Sequence, residues 1–569
     1  MSDTRNDINP PNKPANINYT FSDAELEALK PYGTVKSHAE GELLVDEGDT
    51  KADMHVTLSG ETHIFVETPE GSKRLGWMER GQFSGDVGIL AGQASMVRIT
   101  MGKAGDLLHI PHANFQRLLV ENSKLSDVFV NTLTARRAFA RDQNHGAVIV
   151  IGAAQDRRVF TARDLLSKYG VAHRWLSPDT DNLAHSIMTA KGLTADDLPV
   201  VVRGRSRLLS KPTPAEISAA FGFDLLPDGA KADVLVIGAG PAGLAAAVYA
   251  ASEGLDVVTI DAKTPGGQAI TSSKIENYLG FPAGVSGQEL TERAMTQAIK
   301  FGARVAAPVK ATNLTRIDDH FCVELSDGRQ IGGRSVVIAT GAQYRRLPID
   351  NLERYEGRGI YYGATPMEAQ LCLGSEIAIV GAGNSAGQGA VFLSQTTEKV
   401  HVLYRRADIR ETMSEYLVRR LEETPNIILH PETEISQLNG LGAAEETDDR
   451  LISVSVKNRA SGDVSDLATP FVFLFVGARP FTKWLPSNMT CDTHGFVVTG
   501  ADLDEDMLKD AHWPLERRPT DFETGWPRVY AVGDVRKNSV KRVASAVGQG
   551  SVVVSAIHAA LAEADELKG

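Results

Sequence analysis

Two glycine-rich strings carry the residue types and spacing that nucleotide chemistry needs. The first reads Gly238-Ala239-Gly240-Pro241-Ala242-Gly243, directly after the β-branched run 234–237. Small residues at such a turn let the backbone approach a pyrophosphate, and the following helix aims its N-terminal N–H groups at it. About 20 residues further on, Asp261 ends the run 256–260, where an acid can hold a ribose 2′-hydroxyl. The second string reads Gly381-Ala382-Gly383-Asn384-Ser385-Ala386, after the run 376–380. Its partner run, 399–404, ends in Arg405-Arg406, with Arg410 beyond. Guanidinium groups there suit a 2′-phosphate and favour NADP(H) over NAD(H); the alternative is a solvated basic cluster opening a helix. A lone glycine triplet also makes an ordinary tight turn. The argument therefore rests on strand, glycine loop and helix recurring twice in one polypeptide.

Cysteine is informative by its scarcity. Cys322, Cys372 and Cys491 are the three in the chain, and they lie far apart. That spacing excludes a disulfide scaffold, a CxxC redox pair and a multi-cysteine metal site, and it fits a reducing, cytoplasmic setting. The balance of 59 basic against 72 acidic residues gives a net charge of −13. A phosphate-backbone binder needs a basic face, so no nucleic-acid partner is expected. Residues 1–18 are polar and carry no apolar signal core. Residues 234–251 hold 18 positions without a charge, but Gly238, Gly240, Pro241 and Gly243 interrupt them. A buried strand turning into a buried helix explains that stretch better than a bilayer span, and no membrane partner is expected.

These residues need elements to position them. At ~150 residues per domain the length suggests roughly four units. Residues 1–19 read as a disordered arm. Residues 20–142 combine short alternating segments and regularly placed glycines with a helix over 112–141, which suits a small β-barrel or jelly roll. Residues 146–226 switch to strand–helix alternation, with strands near 147–151, 172–176 and 198–202 and helices near 161–169 and 214–221; 227–229 read as a linker. From 232 onward each glycine string sits between a strand and a helix.

Residues 232–569 resemble the thioredoxin reductase family of flavoproteins. The resemblance is carried by Gly266-Gly267-Gln268, Ile275-Glu276-Asn277-Tyr278-Leu279-Gly280-Phe281, Ala339-Thr340-Gly341-Ala342, Gly533-Asp534-Val535 and Arg542-Val543-Ala544. It implies two nested Rossmann-like α/β domains: an FAD domain over 232–353 and 478–569, interrupted by an NADPH domain over 354–477. It further implies FAD on the first loop and Asp261, the Gly-Gly-Gln turn and Asn277 near the flavin, Asp534 at the ribityl or pyrophosphate region, and a homodimer. The family's redox motif, Cys-Ala-Thr-Cys, falls where this chain reads Gly363-Ala364-Thr365-Pro366. Cys372, six residues past Pro366, is expected to be a packed free thiol. Without two thiols electrons cannot pass from flavin to an internal disulfide and on to thioredoxin.

Residues 147–223 resemble a thioredoxin/glutaredoxin-like domain, with Leu198-Pro199 at its cis-proline. Its CxxC slot falls at Gln155-Asp156-Arg157-Arg158, so a structural adaptor is expected. Residues 21–141 resemble a cyclic nucleotide-binding domain through Glu40-Gly41-Glu42, Glu47-Gly48-Asp49, Ser59-Gly60-Glu61 and the segment 81–90. By that resemblance Gly85, Asp86 and Val87 belong to the phosphate cassette, and Asp86 takes the ribose role. The cassette's arginine position holds Ser95, with Arg98 three residues on. A bound cyclic nucleotide, another ligand and an empty scaffold all stay open.

The three-part order resembles a bacterial group of fused cyclic nucleotide-binding, thioredoxin-reductase-like flavoproteins. The expected activity is hydride transfer from NADPH to FAD and on to an acceptor the sequence does not name. That half-reaction needs no catalytic side chain. The alternatives are a ferredoxin-type NADPH reductase, which also lacks the cysteine pair, and a non-catalytic nucleotide or redox sensor.

Overall fold

A computed structural model describes residues 17–68, 71–85, 87–142, 148–154, 156–204, 207–272, 274–442 and 449–566. Short strands broken by left-handed glycines such as Gly41, Gly48 and Gly60 build the first part. They form two antiparallel sheets, Thr34–His38, Gly105–Ile110 and Met54–Thr57 in one, and Leu43–Val45, Arg98–Lys103, Glu61–Thr68 and Gly71–Met78 in the other. Met54, Val56, Leu108 and Ile110 pack on Phe115, Leu118 and Phe129 of the two helices that follow, His112–Glu121 and Ser123–Asp142. One continuous helix was expected over 112–141. Asn122 divides it: its backbone is extended, and its side chain accepts a hydrogen bond from Leu125 N (3.1 Å) to start the second helix.

Next comes a four-stranded sheet in the order Arg207–Ser210, Val200–Arg203, Val148–Ile151, His173–Leu176. Its two central strands are buried along their whole length, which their continuous apolar runs demand. The helix Arg157–Lys168 starts four residues earlier than the sequence suggests, because the Asp156 carboxylate accepts from Arg158 N at 2.8 Å. Gln155, in the expected CxxC slot, lies outside the described residues. The Leu198-Pro199 peptide is cis.

The first glycine loop belongs to a seven-stranded sheet. Arg304–Ala306, Val257–Ile260, Ala230–Ile237 and Gln330–Ile338 run parallel, and the strands His320–Leu325 and Ala311–Ile317 extend the far edge. Val529–Ala531, from near the chain's end, pairs parallel with Gln330–Ile338. The second loop belongs to a parallel sheet in the order Ile360–Tyr361, Phe471–Leu474, Glu376–Val380, Lys399–Leu403, Ile427–His430. Two short strands, Ala342–Tyr344 and Ala478–Pro480, carry the chain between these bodies.

The uncharged stretch 234–251 is a strand, Ala230–Ile237, followed by a helix, Pro241–Ser252. Among the described residues one helix, Val543–Glu566, is long and apolar enough to cross a membrane by length and composition. It buries Ala546, Gly550, Val553, Val554 and Ile557. At Gly550 a Cβ would stand 2.1 Å from the Ala242 carbonyl, so glycine lets this helix lie directly on Pro241–Ser252.

Candidate functional site

In the first loop the three glycines do different work. A Cβ on Gly238 would sit 2.3 Å from the Ala339 carbonyl, and one on Gly243 would sit 1.8 Å from the Gly238 carbonyl. Those two positions are closed by protein backbone. At Gly240 the nearest atom is Gly267 Cα at 3.8 Å, so the middle glycine keeps the approach open for a phosphate. Gly240 caps the helix whose first residue is Pro241, followed by Ala242. Asp261, just past the strand Val257–Ile260, accepts from Ala239 N and Lys263 N, each at 2.9 Å. Burial raises its pKa against those two bonds, so the carboxyl lies desolvated beside the loop.

Two other segments converge there. Gly266 N donates to the Ala239 carbonyl (2.7 Å), and a Cβ on Gly267 would lie 2.9 Å from Gly240 Cα. The Gly-Gly-Gln turn is thus packed on the first loop, and Gln268 hydrogen-bonds the Ala342 carbonyl. Thr340 Oγ1 donates to the Phe481 carbonyl (3.1 Å), and Gly341 takes a left-handed φ of 63°. Gly533 is left-handed as well, and a Cβ there would come within 2.8 Å of Ala242 Cβ. Burial raises the pKa of Asp534, and Lys541 Nζ donates to its carbonyl at 2.6 Å. Sequence reasoning missed Gln549, whose Oε1 accepts from Gly533 N at 2.8 Å; a single amide in a helix of small and apolar residues was the available signal. Asn277, Arg542 and Ala544 are exposed, and Val543 opens the last helix half-buried.

In the second loop Gly381 is closed by the Phe475 carbonyl, 2.4 Å from where its Cβ would be, whereas a Cβ on Gly383 would meet nothing within 4 Å. Gly383 caps the helix Asn384–Leu393. Asn384 Oδ1 accepts from Ser414 N (2.8 Å), which ties the loop to the next helical segment, and Ser385 is exposed. The three arginines are all exposed but not equivalent. Arg406 pairs with Glu411, and Arg410 donates to Glu422 at 2.8 and 3.0 Å. Arg405 has no carboxylate partner among the described residues, and so presents its charge to solvent.

The cysteine-less slot lies against the segment that follows the Gly-Gly-Gln turn. Ala364 forms an isolated parallel bridge with Ser272, directly after the helical turn Gly267–Thr271. Thr365 is fixed by Glu368, whose Oε2 accepts from Thr365 N at 2.9 Å and also from its hydroxyl. Cys372 is fully buried, and burial pushes its thiol up to about 12. It is a packed free cysteine; Cys322 and Cys491 are free too.

In the N-terminal barrel a cavity of about 250 Å³ is lined by Ile64, Val66, Trp77, Gly85, Ile99 and Arg136, among others. Gly85 is left-handed and Val87 opens a short helical turn; Asp86 lies outside the described residues. The expectation for Arg98 is corrected: it is exposed, faces Asp46 at 3.8 Å and does not line this cavity. Its strand pairs with Glu61–Thr68, and that register turns its side chain outward. Arg136 reaches the cavity from the helix Ser123–Asp142, and it donates to the Phe83 and Gly85 carbonyls at 2.9 Å each.

Comparison with known proteins agrees with this layout. Residues 232–550 match the family model described as pyridine nucleotide-disulphide oxidoreductase, and residues 35–122 match the cyclic nucleotide-binding domain. A thioredoxin reductase from Treponema pallidum is 31% identical over 336 residues, 59% of this chain and 98% of that protein. One from Bacillus subtilis is 28% identical over 338 residues, 59% of this chain and 96% of that protein. The crystal structure of T. acidophilum thioredoxin reductase superposes with a TM-score of 0.50 at 26% identity, over 58% of this chain and 98% of that one.

Proposed function

The chain belongs to the pyridine nucleotide-disulphide oxidoreductase family, and on that premise we propose that it is an FAD-dependent NADPH oxidoreductase whose acceptor is not a disulfide of its own. The observation that carries the reading is the bridge between Ala364 and Ser272, which brings the second nucleotide-binding body against the segment after the Gly-Gly-Gln turn, the turn this reading assigns to the flavin. FAD, when bound, supplies the two-electron chemistry. The chain's own residues do the rest. Gly240 leaves the approach open for the pyrophosphate, Gly238 and Gly243 let the loop close on its own backbone beneath it, and the N–H groups of Pro241–Ser252 beyond its proline attract it. Asp261 suits a ribose hydroxyl, and Asp534 suits the ribityl or pyrophosphate region. Gly383 leaves room for the second dinucleotide, Gly381 lets the loop pack on the Phe475 carbonyl, and Arg405, Arg406 and Arg410 form a basic patch that favours a 2′-phosphate.

The slot Gly363-Ala364-Thr365-Pro366 holds no thiol, and Cys372 is buried with a raised pKa. Electrons that reach the flavin therefore leave to an outside acceptor: a quinone, an iron–sulfur or flavin protein, oxygen or an external disulfide. The N-terminal barrel is read as a regulatory module, with a cyclic nucleotide among its candidate ligands. Three free cysteines suit a reducing cytosol. Anaerobic mixing of the flavin-loaded protein with NADPH is expected to bleach the flavin absorption band. A band that persists at saturating NADPH overturns the assignment.

A further inference from the structure

The helix Arg157–Lys168 touches two places that matter, one at each end. Its C-terminal end is closed by two backbone bonds: Gly170 N donates to the Ser167 carbonyl (2.9 Å) and Val171 N to the Leu166 carbonyl (2.9 Å). Gly170, Val171 and Ala172 then form part of the wall of the barrel cavity, together with Val66 and Ile99 of the barrel. An occupant of that cavity thus touches the barrel and the end of this helix together.

The N-terminal end lies on the second nucleotide-binding body. Phe160 meets Tyr361 with ring centroids 5.8 Å apart, and packs on the core that contains Phe473. Arg157 approaches Glu356 at 4.0 Å, and its stem covers Gly357, where a Cβ would be 3.5 Å away. Glu356 in turn accepts from Arg346 (2.8 Å) and from the Tyr362 hydroxyl (2.6 Å). Two residues after Tyr362 comes Ala364, the residue bridged to Ser272 after the Gly-Gly-Gln turn. Just past the C-terminal end, the Tyr169 hydroxyl donates to the Ala307 carbonyl (3.1 Å), which also accepts from Ser218 of the helix Pro214–Phe221 (2.7 Å) and so ties that end to the first nucleotide-binding body. Twelve helical residues span roughly 18 Å.

The cavity shared by the barrel and residues 170–172 is where the regulatory reading above seats its ligand; we propose that the helix Arg157–Lys168 carries its occupancy, by a small ligand with a largely apolar face, to the strand Ile360–Tyr361 beside the Gly-Gly-Gln turn. The apolar face is set by Ile64, Val66, Leu75, Trp77 and Ile99. Because Gly170 and Val171 are hydrogen-bonded to the helix's last turn and Ala172 follows them directly, a ligand that fits one position of that end better than another shifts the contacts of Phe160 and Arg157 as one body. The coupling is reciprocal, so NADPH binding changes the effector's affinity by the same factor. This inference rests on the oxidoreductase reading above.

The test fills the cavity by design in the full-length, flavin-loaded protein. An Ala172→Cys variant is treated with benzyl methanethiosulfonate; the thiolate breaks the reagent's sulfur–sulfur bond, displaces methanesulfinate and forms a mixed disulfide that holds a benzylthio group in the cavity. Wild type treated identically controls for Cys322 and Cys491. The label is expected to change NADPH affinity or the rate of flavin bleaching by about fivefold or more. It is also expected to alter amide hydrogen exchange over residues 356–366. Both effects are expected to vanish when Phe160→Ala and Arg157→Ala are added. Val97→Cys labels the same cavity from the barrel side if the first variant does not fold. Unchanged exchange over 356–366 on labelling overturns the relay. Failure of every form to bleach, with exchange still altered, overturns the oxidoreductase reading and leaves the relay standing.

Discussion

At the scale of single residues, the second nucleotide loop separates three arginines that the sequence presents as one patch. Arg406 and Arg410 are exposed but paired with Glu411 and Glu422, and Arg410 also approaches Asp408 and Glu415 at 3.9 and 3.6 Å. A guanidinium already held by carboxylates has less to gain from a phosphate than one facing water. Arg405, with no carboxylate partner among the described residues, is therefore expected to supply most of the 2′-phosphate contact. Arg405→Ala should raise the KM for NADPH by roughly 10- to 100-fold, the worth of one charge-assisted hydrogen bond. It should leave NADH turnover unchanged, and Arg410→Ala should do far less. Steady-state kinetics with both nucleotides decide the matter; equal effects of the two variants would show that the patch acts only as a diffuse charge.

At the scale of elements, one sheet of the barrel carries an acid-sensitive cluster. His38, His55 and His109 lie on three adjacent strands; the His38 and His109 Nε2 atoms are 2.7 Å apart, and the His55 ring meets the His109 ring edge-on at 4.4 Å. Burial, reinforced by His109, His38 and Lys36, brings His55 down to about 3. Burial, Lys36 and His38 bring His109 down to about 4, against Asp53 and Glu42, which pull it up. Both folded values lie below the unfolded value of ~6.5, so between them the unfolded chain binds more protons. Stability is full above about pH 6.5 and falls as the pH drops toward 4. Hydrogen exchange in Met54–Thr57 and Gly105–Ile110 should accelerate at pH 4.5 relative to pH 7, after correction for intrinsic rates, and His55→Gln should flatten that dependence. Protection that is independent of pH over that range contradicts this account.

The same scale shows why some of the molecule was legible from sequence. The glycine loops could be read because Gly238, Gly243 and Gly381 each face a carbonyl that forbids a Cβ, and such steric demands leave fixed letters at fixed spacing. The Asn122 break and the early start at Asp156 depend on single capping bonds, which a helical pattern does not reveal. The outward turn of Arg98 and the pairing of Arg406 and Arg410 depend on strand register and on tertiary neighbours, so spacing alone could not assign them.

At the scale of the whole molecule, the distribution of thiols sets how many electrons the protein can store. Cys372 is fully buried in the core of the second nucleotide-binding body, and burial pushes its thiol to about 12. Cys491 is pushed to about 11 by burial and Asp492, and Cys322 is raised by burial and Glu324. Thiols held protonated are poor nucleophiles, and these three pack in separate places, Cys322 on the strand His320–Leu325 and Cys491 beside Val497. A flavin takes up two electrons, and a juxtaposed disulfide would add two more. Anaerobic titration of the flavin-loaded protein with dithionite should therefore end at about two electrons per FAD. Prior treatment with iodoacetamide should change neither that endpoint nor the rate of NADPH oxidation by ferricyanide. An endpoint near four electrons would require a second redox centre, and electron flow would then run through a dithiol rather than directly from the flavin to an outside acceptor.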